Sequence, residues 1–171
     1  MQRYDAKGLF KNLYYALVYP HLIYGIEIYA NTAKCNIDKL NVLNNKILRI
    51  LQCKWLDSNV FALYSNYNTL PIQMMHAQQI LLFTQKFMHH KELLPSIFSH
   101  YFLENQTLHD HNTRRCTDLH LLLNYTSYGH RCIIHKGSQL WDNLPIKLKT
   151  KQPVNTFKKS LYDYMCSLLL T

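Results

Sequence analysis

Glycine and proline are scarce in this chain, at 4 and 5 of 171 residues. Few turns are therefore forced, which disfavours a sandwich or barrel and favours helices. The five cysteines, at positions 35, 53, 116, 132 and 166, are odd in number and never spaced Cys-x-x-Cys. Free thiols in a reducing cytoplasm or nucleus are the expectation. No window approaches 18 apolar residues, so no membrane span and no membrane partner are expected. The segment from Met1 to Lys11 has three basic residues and no apolar run, which is not a signal peptide. Without secretion, Asn105-Gln106-Thr107 and Asn124-Tyr125-Thr126 are chance matches to a glycosylation acceptor. No two acidic residues are adjacent, no serine sits in a Gly-x-Ser-x-Gly elbow, and no glycine-rich phosphate loop occurs. Nothing here points to nucleophilic catalysis, a nucleotide site or a cofactor.

What the chain does have is apolar bulk, tyrosine and positive charge. Apolar residues make up 48% of it, enough for a core, and the length fits one domain with at most a small appendage. Thirteen tyrosines suit half-buried and stacking positions, because each ring carries a polar tip. The formal net charge is +9. Arg131 to Ser160 holds seven basic residues and one acid, so 7 − 1 = +6 of that charge lies in the last third. Such a balance calls for an anionic partner without naming it.

The periodicity predicts a mainly α-helical fold, with room for one or two short strands. A first helix runs from Asp5 to Tyr19, where Pro20 ends it, kinks it or opens a second helix from His21 to Tyr29. Asn36 is the expected N-cap of an amphipathic helix reaching about Gln52. Its apolar face comprises Ile37, Leu40, Leu43, Ile47, Ile50 and Leu51, while Lys39, Lys46 and Arg49 fall within an arc of roughly 80° on another side. Those three residues read either as an ordinary solvated face or as a ridge for a phosphate backbone. A short element is expected over 57–67. A long helix follows from Leu70-Pro71 to about His90, apolar on most sides, with Met74, Met75 and Met88 as core filler. Leu94-Pro95 opens a short helix through Tyr101, Thr117 to Leu121 alternates like a short strand, and Val154 to Leu170 forms a final helix. The weakened pattern after residue 101 sets the expected boundary: a helical bundle over 1–101 and a basic C-terminal subdomain over 102–171.

Two constellations bear on chemistry. Cys116-x3-His120 and Cys132-x2-His135 supply four zinc-type ligand residues, yet their spacing fits no standard template, so no metal is expected. His109-x-His111 is a weaker pair of the same kind. Basic and aromatic residues, by contrast, interleave from Tyr125 and Tyr128 through Arg131, Lys136, Trp141 and Lys147, as a surface that neutralises phosphates and stacks bases would require. Trp141 itself reads as a packing anchor or as a stacking ring; the anchor is the expectation, since tryptophan is usually well buried.

Three blocks carry a family resemblance. Leu13-Tyr14-Tyr15-Ala16-Leu17-Val18-Tyr19-Pro20-His21-Leu22-Ile23-Tyr24-Gly25 resembles the block after the polymerase palm of non-LTR, LINE-type (jockey-like) retrotransposon reverse transcriptases. His111-Asn112-Thr113-Arg114 resembles a polar box further on. Tyr128-Gly129, Gly137-x-x-Leu140-Trp141-Asp142-x-Leu144-Pro145 and Phe157-Lys158-x-x-Leu161 resemble the extreme C-terminal end. The blocks come in family order and spacing over nearly the whole chain. The resemblance implies a thumb-like bundle plus a basic cap that binds RNA or DNA, on the C-terminal portion of such a protein, as in copies truncated upstream. It also implies no catalysis by this chain, because the family's metal-binding palm carboxylates lie before these blocks. The expected nucleic-acid-binding residues are Lys39, Lys46, Arg49, His111, Thr113, Arg114, Arg131, Lys136, Lys147, Lys149 and Lys151. The alternatives are a helical protein-interaction module or a decayed copy with no selected function.

Overall fold

The computed structural model describes residues 6–108 and 118–170. Among these the protein is mainly α-helical, and strand pairing is limited to one isolated antiparallel bridge between Glu104 and Leu119. The bridge falls where the alternation around Thr117 to Leu121 predicted a strand; Thr117 itself lies outside the described residues. The described chain divides into two compact units, one running to His76 and taking in the last residues from Leu169, and one spanning Ala77–Leu168. The boundary thus falls inside a helix, and the expected boundary at residue 101 lies within the second unit.

The first unit opens with α1 (Ala6–Leu13), which passes through a π-helical turn (Tyr14–Val18) into α2 (Tyr19–Ile23). Pro20 sits in the first turn of α2, where its missing N–H costs nothing. The widened turn before it accommodates the ring without ending the helix. Gly25 follows at φ 66°, a left-handed position that glycine takes at no steric cost, and turns the chain into α3 (Ile26–Tyr29).

Helix α4 spans Lys34–Leu51. It starts at Ala33, not at the expected Asn36 cap; the Asn36 side chain instead donates to Thr32 Oγ1 at 3.0 Å. Its buried stripe is Ile37, Asn44 and Leu48, and this corrects the expected apolar face: Leu43 and Ile50 point to solvent. Two tyrosines decide the outcome. Tyr14 Oη donates to Asn44 Oδ1 at 3.2 Å, Asn44 Nδ2 donates to Tyr64 Oη at 3.4 Å, and Tyr64 Oη donates to Asn45 Oδ1 at 2.6 Å. A buried amide is tolerated once its polar atoms are bonded. The Asn44 network therefore lies within the cluster of Tyr14, Leu48, Leu63, Tyr64 and Tyr67.

Both α4 and α5 (Val60–Tyr67) end in the same way. After α4, Cys53 is left-handed at φ 51°, with Cys53 N–H on Ile50 O at 3.1 Å and Lys54 N–H on Arg49 O at 2.9 Å. After α5, Asn68 takes φ 53°, with Asn68 N–H on Ser65 O and Thr69 N–H on Tyr64 O. This is the paired-bond stop usually built around glycine. Asparagine suits it; Cys53 stores some strain there. Helix α5 is capped at its start by Asn59, whose Oδ1 accepts from Phe61 N at 2.8 Å.

Helix α6 spans Ile72–His89, close to the predicted long helix. The predicted short helix after Leu94 is instead a single 3₁₀ turn, Ser96–Phe98, and another, Lys91–Leu93, precedes it. They fold Phe98, Tyr101 and Phe102 over Phe83 and Phe87 in edge-to-face contacts, with centroids 5.2 Å apart for both Phe83–Phe98 and Phe87–Phe102. The rest of the second unit comprises α7 (Asn105–Leu108), α8 (Ser127–Arg131), α9 (Ile133–Asp142), α10 (Ile146–Lys149) and α11 (Val154–Leu170), the last as predicted. Phe157, Leu161 and Met165, spaced by four, are the buried stripe of α11. Gly137 lets α9 come close: a Cβ there would stand 2.7 Å from Phe102 Cζ and 3.0 Å from Thr84 Oγ1.

Candidate nucleic-acid interface

In the second unit the C-terminal lysines arise from a segment that is gripped by its backbone. Gln85 Nε2 and His90 Nε2 donate to Gln152 O at 2.9 and 3.0 Å, and His89 Nε2 donates to Lys149 O at 2.9 Å. Beneath the segment, Trp141 is 3% exposed, with its ring 6.1 Å from Phe157 and 6.0 Å from His89. This is the anchor position expected of it, with no face open for a base.

The basic side chains divide into free and engaged groups. Lys147, Lys151, Lys158 and Lys159 are exposed. Lys149 is held: its Nζ donates to Asp142 O at 3.0 Å and lies 3.5 Å from Asp118 Oδ1. Asp142 Oδ1 in turn accepts from Leu119 N at 3.0 Å, so Lys149 closes a network that joins α9, α10 and the 118–119 segment. Arg131 is half-buried and donates through Nε to Ser127 O at 3.1 Å. Lys136 is also half-buried; burial pushes its ammonium pKa down, and nearby Arg131 adds to the shift. Both therefore reach solvent less freely than the exposed lysines. On α8, Tyr128 is 74% exposed one turn before Arg131, and Tyr125 on the preceding loop is 90% exposed. These two rings of the expected mixture are open, whereas Trp141 of the same mixture is buried.

In the first unit, Lys39 and Lys46 are exposed and Arg49 is half-buried, its Nε enclosed without a hydrogen-bond partner. All three lie on α4 as expected, and two of them are open to solvent. Lys54 and Trp55, on the turn after α4, are exposed as well and were not among the expected residues. The available signal was a Lys-Trp-Leu run between two helices. His111, Thr113 and Arg114 lie outside the described residues.

Of the zinc-type residues, Cys116 lies outside the described residues. His120 Nδ1 is 3.3 Å from Asn105 Oδ1, and His135 Nε2 is 3.3 Å from His130 Nδ1. Among the described residues no three His, Cys, Asp or Glu side chains gather to hold a metal ion. Cys35, Cys53, Cys132 and Cys166 are free thiols. Among the described residues no helix is long and apolar enough to cross a membrane. Neither a family model, nor a curated protein, nor a solved structure matches the chain.

Proposed function

We propose that this protein binds nucleic acid through its phosphate backbone, as the post-polymerase part of a non-LTR reverse transcriptase. The carrying observation is the stretch 143–162, which holds five lysines and no carboxylate; four of the lysines are exposed. The blocks behind the family resemblance also carry residues that the fold requires. Gly25 takes a left-handed turn, Gly137 admits a close helix approach, and Trp141, Leu144, Phe157 and Leu161 are buried. Phosphate binding of this kind releases counterions and is tolerant of sequence.

The test is a salt titration of affinity for duplex DNA. Changing Lys147 and Lys151 together to Gln is expected to weaken binding and to lower the log–log salt slope by about two units, roughly 0.9 per lost phosphate contact. Stability should move by no more than about 0.5 kcal/mol, because both ammonium groups are solvated. Lys149→Gln should cost about 1 kcal/mol of stability instead, through its bond to Asp142 O. An unchanged slope in the double variant would leave the basic segment as a solubilising surface and favour a protein-interaction role.

The same reading assigns the chain no polymerase chemistry. Two-metal phosphoryl transfer needs clustered carboxylates, and the ten acids here are never adjacent. Primer extension with Mg²⁺ or Mn²⁺ should stay at the level of a heat-killed control; extension above that level refutes the assignment.

A further inference from the structure

Helix α4 of the first unit has a second face that stays exposed among the described residues. At 100° per residue, Lys39, Leu43, Lys46 and Ile50 fall within an arc of about 60°, opposite the buried Ile37, Asn44 and Leu48. Ile50 is 74% exposed. The turn that follows the helix carries the exposed Lys54, Trp55 and Leu56, and here the exposures reach 85% for Trp55 and 81% for Leu56. Tryptophan is seldom so open in a folded chain.

Nor is the indole on a loose tail. The stop after α4 fixes Cys53 and Lys54 by bonds to Ile50 O and Arg49 O. Trp55 O accepts both Ser58 N at 3.1 Å and Ser58 Oγ at 2.7 Å. The backbone that carries the ring is held on both sides.

We propose that Trp55 is a base-stacking platform at the end of a lysine track, so that the first unit binds single-stranded RNA or DNA along α4. The proposal rests on the nucleic-acid reading above and narrows it to a strand form. Lys39 and Lys46 lie about 10 Å apart along the helix, on one side, and the exposed Lys54 follows just past the helix end. Asp38 next to this arc is turned to Gln73, whose Nε2 donates to its Oδ1 at 2.9 Å. Asp57, two residues after Trp55, is the one acid in sequence between Asp38 and Glu92. The charge therefore fits an anionic chain. The apolar atoms between the lysines decide which anionic chain. A duplex hides its base faces and would offer phosphates to Leu43, Ile50 and Trp55. A single strand offers phosphates to the lysines and unstacked bases to the ring and its aliphatic neighbours.

The two tryptophans make the test direct, because Trp141 is buried and Trp55 is open. Tryptophan fluorescence of the whole protein is titrated with a 20-nucleotide oligothymidylate or oligouridylate, with a duplex of equal length, and with heparin. The single strands should quench saturably, and the duplex and heparin should leave the signal near its starting value. Trp55→Ala should weaken single-strand affinity between about 5- and 150-fold with the thermal midpoint unchanged. Trp55→Tyr should recover most of the affinity. Equal quenching by heparin, or full affinity in Trp55→Ala, overturns the proposal. If Trp55→Ala binds normally while the Lys147/Lys151 double variant loses affinity, the stacking site falls and the backbone reading stands. If no nucleic acid binds at all, both fall. If Trp55→Ala abolishes self-association in sedimentation and leaves strand affinity unchanged, the face belongs to a second copy of the chain, and the proposal is overturned.

Discussion

Trp141→Ala is expected to destabilise the second unit by about 3–5 kcal/mol, the cost of removing a large aromatic from a filled core. The indole is almost wholly enclosed, between Phe157 of α11 and His89 of α6. Because a protein interior is close-packed, neighbouring side chains relax only in part into the space left behind. Trp141→Phe should cost less, because it keeps the ring's contact with Phe157. Urea titration followed by far-UV ellipticity reads both. The decisive comparison is with nucleic-acid affinity. An anchor lowers affinity only as far as it lowers the folded fraction, so under strongly folding conditions Trp141→Ala should bind like the parent. A stable Trp141→Ala variant that had lost affinity would make the ring a contact residue and reverse this reading.

The second large effect is alkaline unfolding of the first unit. Burial pushes the Tyr15 and Tyr64 phenols up to about 12 from the ordinary 10.0; for Tyr15 the neighbouring Tyr19 and Tyr14 add to the shift. Tyr14 and Tyr19 are raised too, first by burial. A raised folded pKa means that the native state holds its proton more tightly than the unfolded chain. The corresponding stability is complete below pH 10 and is lost as pH rises through 12. With two phenols near 12, stability between those limits should fall with a slope approaching about two protons per pH unit. Tyr64→Phe should flatten that slope by about one proton, although it also removes the bond to Asn45 and lowers stability at neutral pH. Denaturant titrations at half-unit steps from pH 9 to 11.5, with tyrosinate absorbance near 295 nm, measure it. A flat stability over that range contradicts the burial of these hydroxyls.

The long helices were legible because their signals are redundant. The stretch from Ile72 to His89 has no acid and no breaker, and the stretch from Val154 to Leu170 shows buried residues at a spacing of four. The region between Ser127 and Lys149 was much less so. Its helices are 4 to 10 residues long and two contain glycine, Gly129 and Gly137, whose reason is a close approach to Asn124 in one case and to Phe102 in the other. Such a reason exists only once the partner is in place. Helix α4 was legible as a helix but not as to which side is buried. Apolarity put Leu43 and Ile50 inward, whereas hydroxyls from Tyr14 and Tyr64, 30 and 20 residues from Asn44, made the asparagine face the buried one. The lysines of the proposed interface show the same limit. Lys147, Lys149 and Lys151 look alike in sequence, and only the position of Asp142 O separates the middle one from its neighbours.

The grip on residues 149–152 has a consequence for how this surface can change over generations. Gln85, His89 and His90 hold carbonyl oxygens, which every amino acid supplies. At positions 150 and 151 a codon change therefore alters the charge shown to solvent and leaves the attachment intact. Selection can raise, lower or erase the positive potential of this segment in single steps, none of which has to pass through an unfolded intermediate.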